Sequence, residues 1–162
     1  MKIRPKRIAD YKSIVDIAKS LPKWFTKNGI RQIKYATRKQ QGLVVTEENQ
    51  IVGFVFYRKW QRTSYLTWMG VMSNKRRKGI GSKLLSALET ELKKSRIYEI
   101  KVSTLARTVK YIPYEETRFF YKINGFVLHC IDKDFYPKGG DREILIKKFG
   151  GERNARKRNE NR

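Results

Sequence analysis

A short basic loop, Arg76-Arg77-Lys78-Gly79-Ile80-Gly81, is the part of the sequence best suited to bind a charged ligand. It joins a segment rich in strand-forming residues to a segment with helical periodicity. A strand that enters a helix through glycines leaves backbone N–H groups unpaired at the helix N-terminus, where the helix dipole adds partial positive charge. The glycines let an anion approach the backbone, and cationic side chains flank it. We therefore predict a phosphate-binding loop with the geometry of a pyrophosphate site.

Other glycine-rich phosphate sites fit this loop less well. The loop lacks the Gly-Lys-Ser/Thr ending of a nucleotide-binding P-loop. A dinucleotide-binding fold would place its glycines near the first strand of a parallel unit. Taken alone, the pattern Arg-x-x-Gly-x-Gly is weak, because glycine turns that lead into helices are common. The elements around the loop therefore decide its interpretation.

Hydrophobic periodicity predicts strands and helices over residues 3–149. β-branched and aromatic residues predict strands at about 3–8, 43–46, 51–57, 64–72, 97–104, 126–131 and 143–149. Helical spacing predicts one helix after Asp10, a candidate N-cap, and others at about 30–39, 79–92 and 115–123. Pro22, Gly42 and the pair Asn124-Gly125 are predicted helix stops.

Composition limits the class of protein. With 162 residues, 40% of them hydrophobic, the chain predicts one globular domain. Its single cysteine, Cys130, and single histidine, His129, exclude an internal disulfide and a Cys/His metal cluster, and both are interpreted as structural. The basic N-terminus has no long apolar segment behind it, so we expect a cytoplasmic protein that is neither secreted nor inserted in a membrane.

Two segments of the chain resemble one known family. Residues 71–85, which include the basic loop, resemble the acetyl-CoA-binding motif of the GNAT superfamily of N-acyltransferases. About 45 residues downstream, the segment Phe120 to Phe126 is similar to that family's second signature, with Tyr121 four residues before the glycine of Gly125-Phe126. The resemblance extends over roughly residues 3–149.

The resemblance implies an α/β fold of the α+β type. A single GNAT-like domain would contain a mixed, largely antiparallel sheet of six to seven strands, flanked by about four helices. Its fourth and fifth strands would splay apart to admit pantetheine. Residues 1–149 would form this domain, and residues 150–162 would form a basic, disordered C-terminal tail.

The resemblance also implies acetyl-CoA as the cosubstrate, with no metal. Pantetheine would pair with the fourth strand at Met69, Gly70 and Val71, and backbone N–H near Val71 would polarise the thioester carbonyl. Tyr121 would protonate the departing thiolate, a step suited to a phenol with a pKa of about 10. The residues implied to bind the pyrophosphate are Arg76, Arg77, Lys78, Gly79, Ile80, Gly81 and Ser82.

The sequence does not define a general base. An alkylammonium with a pKa of about 10.4 is almost fully protonated at neutral pH, so its proton must be removed before the amine attacks. Histone-type members of the family carry a glutamate on the fourth strand, where this chain has Tyr65. Glu115 and Glu116, at the start of the helix that carries Tyr121, are candidate bases, although acids there more often stabilise the helix dipole. Glu99 is a further candidate, and a water relay would make a side-chain base unnecessary.

The charge of the chain calls for a partner larger than one cosubstrate. Lys and Arg outnumber Asp and Glu by 38 to 15, which gives a net charge of +23. Such a field repels polyamines and attracts an acidic or nucleic-acid-associated partner, whereas a purely solubilising surface is the alternative. The aromatic and basic residues of Tyr57-Arg58-Lys59-Trp60 suit stacking on nucleic-acid bases, or they merely end a strand.

These observations predict an N-acetyltransferase. It would transfer acetyl from acetyl-CoA to a primary amine of a small molecule or a protein, by direct attack within a ternary complex. The alternative is a nucleic-acid-binding module with the same fold and little or no turnover. The acceptor, the length of the acyl chain, and the choice between monomer and homodimer are left open by the sequence.

Overall fold

An open sheet forms the centre of the molecule. The computed structural model describes residues 1–137 and 139–150. Seven strands are present in that part of the chain: β1 (Lys2–Pro5), β2 (Gln41–Glu47), β3 (Gln50–Trp60), β4 (Thr63–Val71), β5 (Glu99–Leu105), β6 (Val127–Tyr136) and β7 (Gly140–Lys148). The α-helices there are α1 (Tyr11–Lys19), α2 (Lys27–Lys39), α3 (Ile80–Lys94) and α4 (Ile112–Ile123).

The strands are ordered β1-β2-β3-β4-β5-β7-β6 across the sheet. Each neighbouring pair is antiparallel except β4 and β5, which are parallel and connected through α3. A parallel pair requires a crossover, and a helix is the usual one. The predicted fold class, a mixed and largely antiparallel sheet with flanking helices, is confirmed.

The strands divide the hydrophobic core between the two faces of the sheet. On one face, α3 buries a stripe that includes Leu88, and α4 adds Tyr121. On the other face, α1 and α2 pack through residues such as Ile14 and Ile33 against Phe54 of β3. Because successive side chains of a strand point to opposite faces, the central strands β2 and β3 supply both halves of the core.

β4 and β5 pair over only part of their length. Their parallel register contains four residue pairs, of which the last is Leu66 with Val102. Beyond that point β4 continues to Val71 alongside β3, and β5 continues to Leu105 alongside β7. The strands therefore separate, as predicted, and each remains paired to its own antiparallel neighbour.

A β-bulge lies at the point of separation. Consecutive residues of β3 pair with Leu66 and Trp68, so Thr67 is an extra residue in β4. The bulge shifts the alternation of side chains by one position. Leu66 packs on the α3 face, Trp68 packs on the α1–α2 face, and Met69 returns to the α3 face.

Several predicted boundaries are wrong for local reasons. The first strand ends at Pro5 rather than at residue 8, because proline has no N–H to donate to a ladder. The second helix begins at Lys27 rather than at residue 30, because the Thr26 side chain accepts the Gly29 N–H at 3.1 Å and caps it. Gly42 lies inside β2 instead of ending a helix, and a Cβ there would lie 2.5 Å from the Phe56 ring.

The boundaries near the C-terminal end also shift. The last helix begins at Ile112 rather than at Glu115, because Pro113 falls in the first turn, where a missing N–H costs nothing. β6 extends to Tyr136, beyond the predicted end at residue 131. The predicted tail falls almost entirely on residues 151–162, which lie outside the described residues.

None of the described helices has the length and apolar character needed to cross a membrane.

A buried carboxylate ties β1 to the start of α1. Asp10 accepts two hydrogen bonds from the Arg4 guanidinium, each 2.8 Å long, and one of 2.6 Å from the Arg7 N–H. The hydrogen bonds from Arg4 lower the pKa of Asp10, against the opposing effect of burial. This arrangement holds the N-terminal end of α1 against the sheet.

We predict that Asp10→Ala destabilises the fold by about 2 kcal/mol at neutral pH, because it removes charge-assisted hydrogen bonds and leaves Arg4 without its partner. The pKa of Asp10 is lower in the folded state than its ordinary value of 3.8. Asp10 therefore makes its full contribution to the free energy of unfolding above pH 3.8, and this contribution is lost as the pH falls through the folded-state pKa. Urea unfolding measured across this range should show the two proteins converging in acid. The surface variant Asp16→Ala is the control, and an equal loss in both variants contradicts the assignment.

Candidate active site

A cleft of about 420 Å³ lies where β4 and β5 separate. One wall is the free part of β4, from Leu66 to Val71, and the opposite wall is the end of β5, from Val102 to Thr104. The start of α3 and one side of α4 close the cleft, together with the loop that joins α1 to α2. The predicted residues Met69, Gly70 and Val71 therefore line it.

The N-terminus of α3 faces this cleft. Gly79 is its N-cap, in the left-handed conformation with φ 75° and ψ 1°. Among the described residues no side chain caps this end of the helix, and the first turn contains no acidic residue. Ile80, Gly81 and Ser82 follow, and all of them line the cleft. The first N–H groups of a helix have no intrahelical acceptor, so this end can bind an anion through its backbone.

The two glycines of the loop are required for different reasons. A Cβ at Gly79 would have nothing within 4 Å, so this position needs glycine for its positive φ of 75°. A Cβ at Gly81 would lie 2.9 Å from the Phe120 ring and 3.4 Å from the Met69 side chain. Gly81 therefore lets α4 pack against the start of α3, and its role in leaving room for a phosphate stays a prediction.

The three basic residues of the loop differ in their surroundings. Arg77 lines the cleft and has a positive φ of 62°. The Arg76 guanidinium lies 4.0 Å from the centre of the Trp24 ring and 3.2 Å from a carboxylate oxygen of Glu116. Lys78 is not among the residues that line the cleft. Of the two that line the cleft, Arg77 is the one without a described acidic partner.

The loop between α1 and α2, residues 20–26, is fastened to the start of α4. The Trp24 indole N–H donates to the Pro113 carbonyl at 2.9 Å. The Tyr114 hydroxyl donates to the Trp24 carbonyl at 3.2 Å, and the Tyr111 hydroxyl donates to the Lys23 carbonyl at 3.0 Å. These bonds, with the stacked Arg76, close one end of the cleft with aromatic side chains.

Tyr121 lies in the wall of the cleft that α4 forms. Its ring packs edge to face against Phe120 and Phe126, with centroids 5.2 and 5.1 Å away, and the residue is only 6% exposed. No described side chain or carbonyl accepts a hydrogen bond from its hydroxyl. Burial raises the pKa of Tyr121 above its usual value, and nearby Tyr114 adds to the shift. Tyr121 therefore belongs both to the core and to the lining of the cleft.

The candidate bases have other partners or other positions. Glu116 lines the cleft but forms the ion pair with Arg76, and Glu115 is not among the lining residues. Glu99 accepts a hydrogen bond from Thr63 at 2.9 Å, at the start of β5, where β4 and β5 are still paired. Tyr65 lines a different groove, on the opposite side of the β4–β5 separation.

A buried polar pair borders the cleft wall. Thr104 of β5 lies opposite Glu143 of β7 in the sheet, and both are almost completely buried. Within the described part of the chain, Thr104 Oγ1 and Glu143 Oε1 have no hydrogen-bond partner. The other oxygen of Glu143 accepts from Arg107 Nε at 3.0 Å. Thr104 is thus a polar group of the cleft that has its hydrogen-bonding capacity unused.

Sequence reasoning missed Trp24 and Thr104. Trp24 follows a helix that ends at a proline, and an aromatic residue in such a loop is a weak signal for a ligand wall. Thr104 is one β-branched residue of a strand, and its sequence context contains no signal at all. Tyr114, in the first turn of α4, also lines the cleft.

Comparison with known proteins agrees with this geometry. A family model described as an acetyltransferase (GNAT) domain matches residues 38–128, more than half of the chain. No curated protein matches the sequence significantly.

Solved structures share the fold at low sequence identity. A GNAT-family protein from Desulfovibrio desulfuricans is 19% identical with a TM-score of 0.80, over 91% of this chain and 99% of that one. A ribosomal-protein-alanine N-acetyltransferase from Brucella melitensis is 20% identical with a TM-score of 0.72, over 92% of this chain and 100% of that one. A protein assigned as a streptothricin acetyltransferase, from Bacillus anthracis in complex with acetyl coenzyme A, is 21% identical with a TM-score of 0.61, over 68% and 63% of the two chains.

We predict that Gly81→Ala and Gly79→Ala both destabilise the protein, by different mechanisms. The first overpacks the contact with Phe120 and costs about 1–3 kcal/mol, whereas the second strains a left-handed residue and costs roughly 1 kcal/mol. Adding Phe120→Leu should recover part of the loss in Gly81→Ala and none of the loss in Gly79→Ala. Thermal and urea unfolding of the single and double variants forms a double-mutant cycle, and equal recovery in both backgrounds contradicts these assignments.

Proposed function

The chain belongs to the GNAT family of acetyltransferases, and we propose that it transfers the acetyl group of acetyl-CoA to a primary amine. The observation that carries this proposal is the position of the uncapped N-terminus of α3, which faces a cleft between two separated strands. This arrangement joins an anion-binding helix end to a channel of exposed strand backbone. A pyrophosphate followed by an extended, amide-containing chain has the shape and hydrogen-bonding groups to fill both.

Donor binding is assigned to the start of α3 and to the free edge of β4. The N–H groups of Ile80, Gly81 and Ser82 are in place to bind the pyrophosphate, with Arg77 adding a full charge. The backbone of Met69, Gly70 and Val71 is in place to pair with the pantetheine amides. Position 70 requires glycine, because a Cβ there would lie 2.9 Å from the Phe54 ring.

The Tyr121 hydroxyl is the proposed acid that protonates the CoA thiolate. Burial raises the pKa of this phenol, so it keeps its proton throughout the physiological range. Its aromatic neighbours hold the ring in place, and its hydroxyl is not engaged by a described acceptor. The same shift makes the phenol a weaker acid toward the thiolate, so the assignment rests on the position of Tyr121 in the cleft wall and not on its pKa.

The acceptor is proposed to reach the thioester from the end of the cleft closed by Trp24 and Tyr114. This end is aromatic, with Phe25 and Trp68 packed edge to face at 6.0 Å beneath it. Glu116 is paired with Arg76, so we assign removal of the ammonium proton to a water relay rather than to either glutamate. The acceptor is a small molecule or a protein that carries a primary amine and few additional positive charges.

We predict that Tyr121→Phe lowers kcat about 10²-fold and leaves the affinity for acetyl-CoA unchanged, because the hydroxyl acts on the leaving group only. The measurement is acetyl transfer to a panel of amines, followed by mass spectrometry. Tyr98→Phe, an exposed tyrosine outside the cleft, is the matched control.

The pH dependence of kcat provides a second readout of Tyr121. Because the pKa of Tyr121 is raised, its protonated form persists to higher pH than in an ordinary phenol. We therefore expect no decline in kcat until the pH exceeds about 10. Wild-type kcat in Tyr121→Phe, or an alkaline decline near neutral pH that the variant abolishes, contradicts the assigned role.

A separate prediction concerns the loop. Arg77→Gln should raise the Kd for CoA roughly tenfold, because it removes a charged hydrogen-bond donor that lines the cleft. Lys78→Gln, which removes the same charge one position later and outside the lining, should raise it about twofold through the long-range field alone. Calorimetric titration with CoA compares the two variants, which have the same net charge. Equal effects contradict the distinction, and no binding by the wild-type protein contradicts the donor site.

A further inference from the structure

A second groove lies on the other side of the β4–β5 separation. It occupies the α1–α2 face of the sheet, where β5, β6 and β7 extend beyond the cover of α2. The two grooves share Leu66, Thr67, Trp68 and Ser103 in their walls, so they meet where the strands part. The groove therefore leads to the cleft from the opposite face of the sheet.

The charge of this groove has one sign. Its walls carry Arg31, Arg58, Lys101 and Arg142 and no aspartate or glutamate among the described residues. Lys101 and Arg142 have acidic partners outside the groove walls. Arg31 and Arg58 form no ion pair with any described residue. Two uncompensated cations in a concave surface attract and hold anions.

Exposed aromatic rings lie among these cations. Tyr35 of α2 is 64% exposed and Tyr65 of β4 is 38% exposed, and both line the groove. In the sheet, Tyr65 is paired with Arg58 on one side and with Lys101 on the other. A ring thus lies between two cations in a row of about 10 Å across adjacent strands. Of the run Tyr57 to Trp60, only Arg58 lines the groove: Tyr57 is buried in the core, and Trp60 is exposed but lies outside the groove.

We propose that this groove binds single-stranded nucleic acid. A flat ring with a cation on each side suits an unpaired base together with the phosphates beside it, and every base has a face that can stack. An acidic polypeptide would use the cations and leave the exposed rings without a role. A second copy of this chain would bring two surfaces of like charge together, in a protein whose net charge is +23.

The proposal concerns binding and does not require acetyl transfer, so its test measures binding alone. The full chain is titrated into a labelled oligouridylate of roughly 12 nucleotides, and fluorescence anisotropy is followed from about 50 to 300 mM salt. We expect Tyr65→Ala to raise Kd roughly tenfold, and Tyr65→Phe to retain affinity within about twofold, because stacking needs the ring and not the hydroxyl. Tyr98→Ala, which removes an equally exposed ring outside the groove, should change Kd by less than about twofold.

The salt dependence tests the cations separately. Arg58→Gln should reduce the slope of log Kd against log salt by about one, and Arg62→Gln, in the exposed turn that follows β3, should leave it nearly unchanged. Three results overturn the proposal: no binding at low salt, equal effects of the Tyr65 and Tyr98 variants, or displacement of the oligonucleotide by polyglutamate at an equal concentration of charge. The last result would identify a general anion surface. Circular dichroism and CoA affinity confirm that each variant is folded.

Discussion

The parallel pairing of β4 and β5 stops after four residue pairs, and the cleft exists because it stops. Each strand is held along its whole length by a different antiparallel partner, β3 for β4 and β7 for β5. The sheet therefore consists of two ladders joined at one end, and the backbone groups between them are left for a ligand. The bulge at Thr67 starts this separation and turns Met69 toward the side of the cleft where α3 begins.

The remaining elements close the space that this separation opens. α3 crosses from β4 to β5 and directs its N-terminus at the gap, and the absence of a Cβ at Gly81 lets Phe120 of α4 pack there. The loop after α1 then reaches the start of α4 through Trp24. Arg76 connects this loop to α4 by stacking on Trp24 and pairing with Glu116. A residue predicted to bind phosphate is thus engaged in holding the other end of the cleft together.

The elements that local sequence determines were predictable, and those that depend on tertiary contacts were not. The helical stripe of α3 and the glycine loop before it give a strong local signal, as does the β2–β3 hairpin. The start of α2 was wrong because the Thr26 cap precedes the apolar repeat that marks the helix. The pairing of Arg76 with Glu116 and the contact of Trp24 with Pro113 join residues 40 and 89 positions apart. No spacing rule connects such positions, so the donor loop could be predicted but not the wall opposite it.

Electrostatics relates the proposed chemistry to the composition. An amine is reactive only when neutral, and each unit by which its pKa falls increases the neutral fraction about tenfold at neutral pH, at a cost of about 1.36 kcal/mol to the charged form. Positive charge near the acceptor shifts the equilibrium in this direction without any side chain that accepts the proton. The same charge raises the local concentration of an anionic partner on the opposite face of the sheet. One excess of lysine and arginine therefore favours both a neutral amine in the cleft and a polyanion in the groove that meets it.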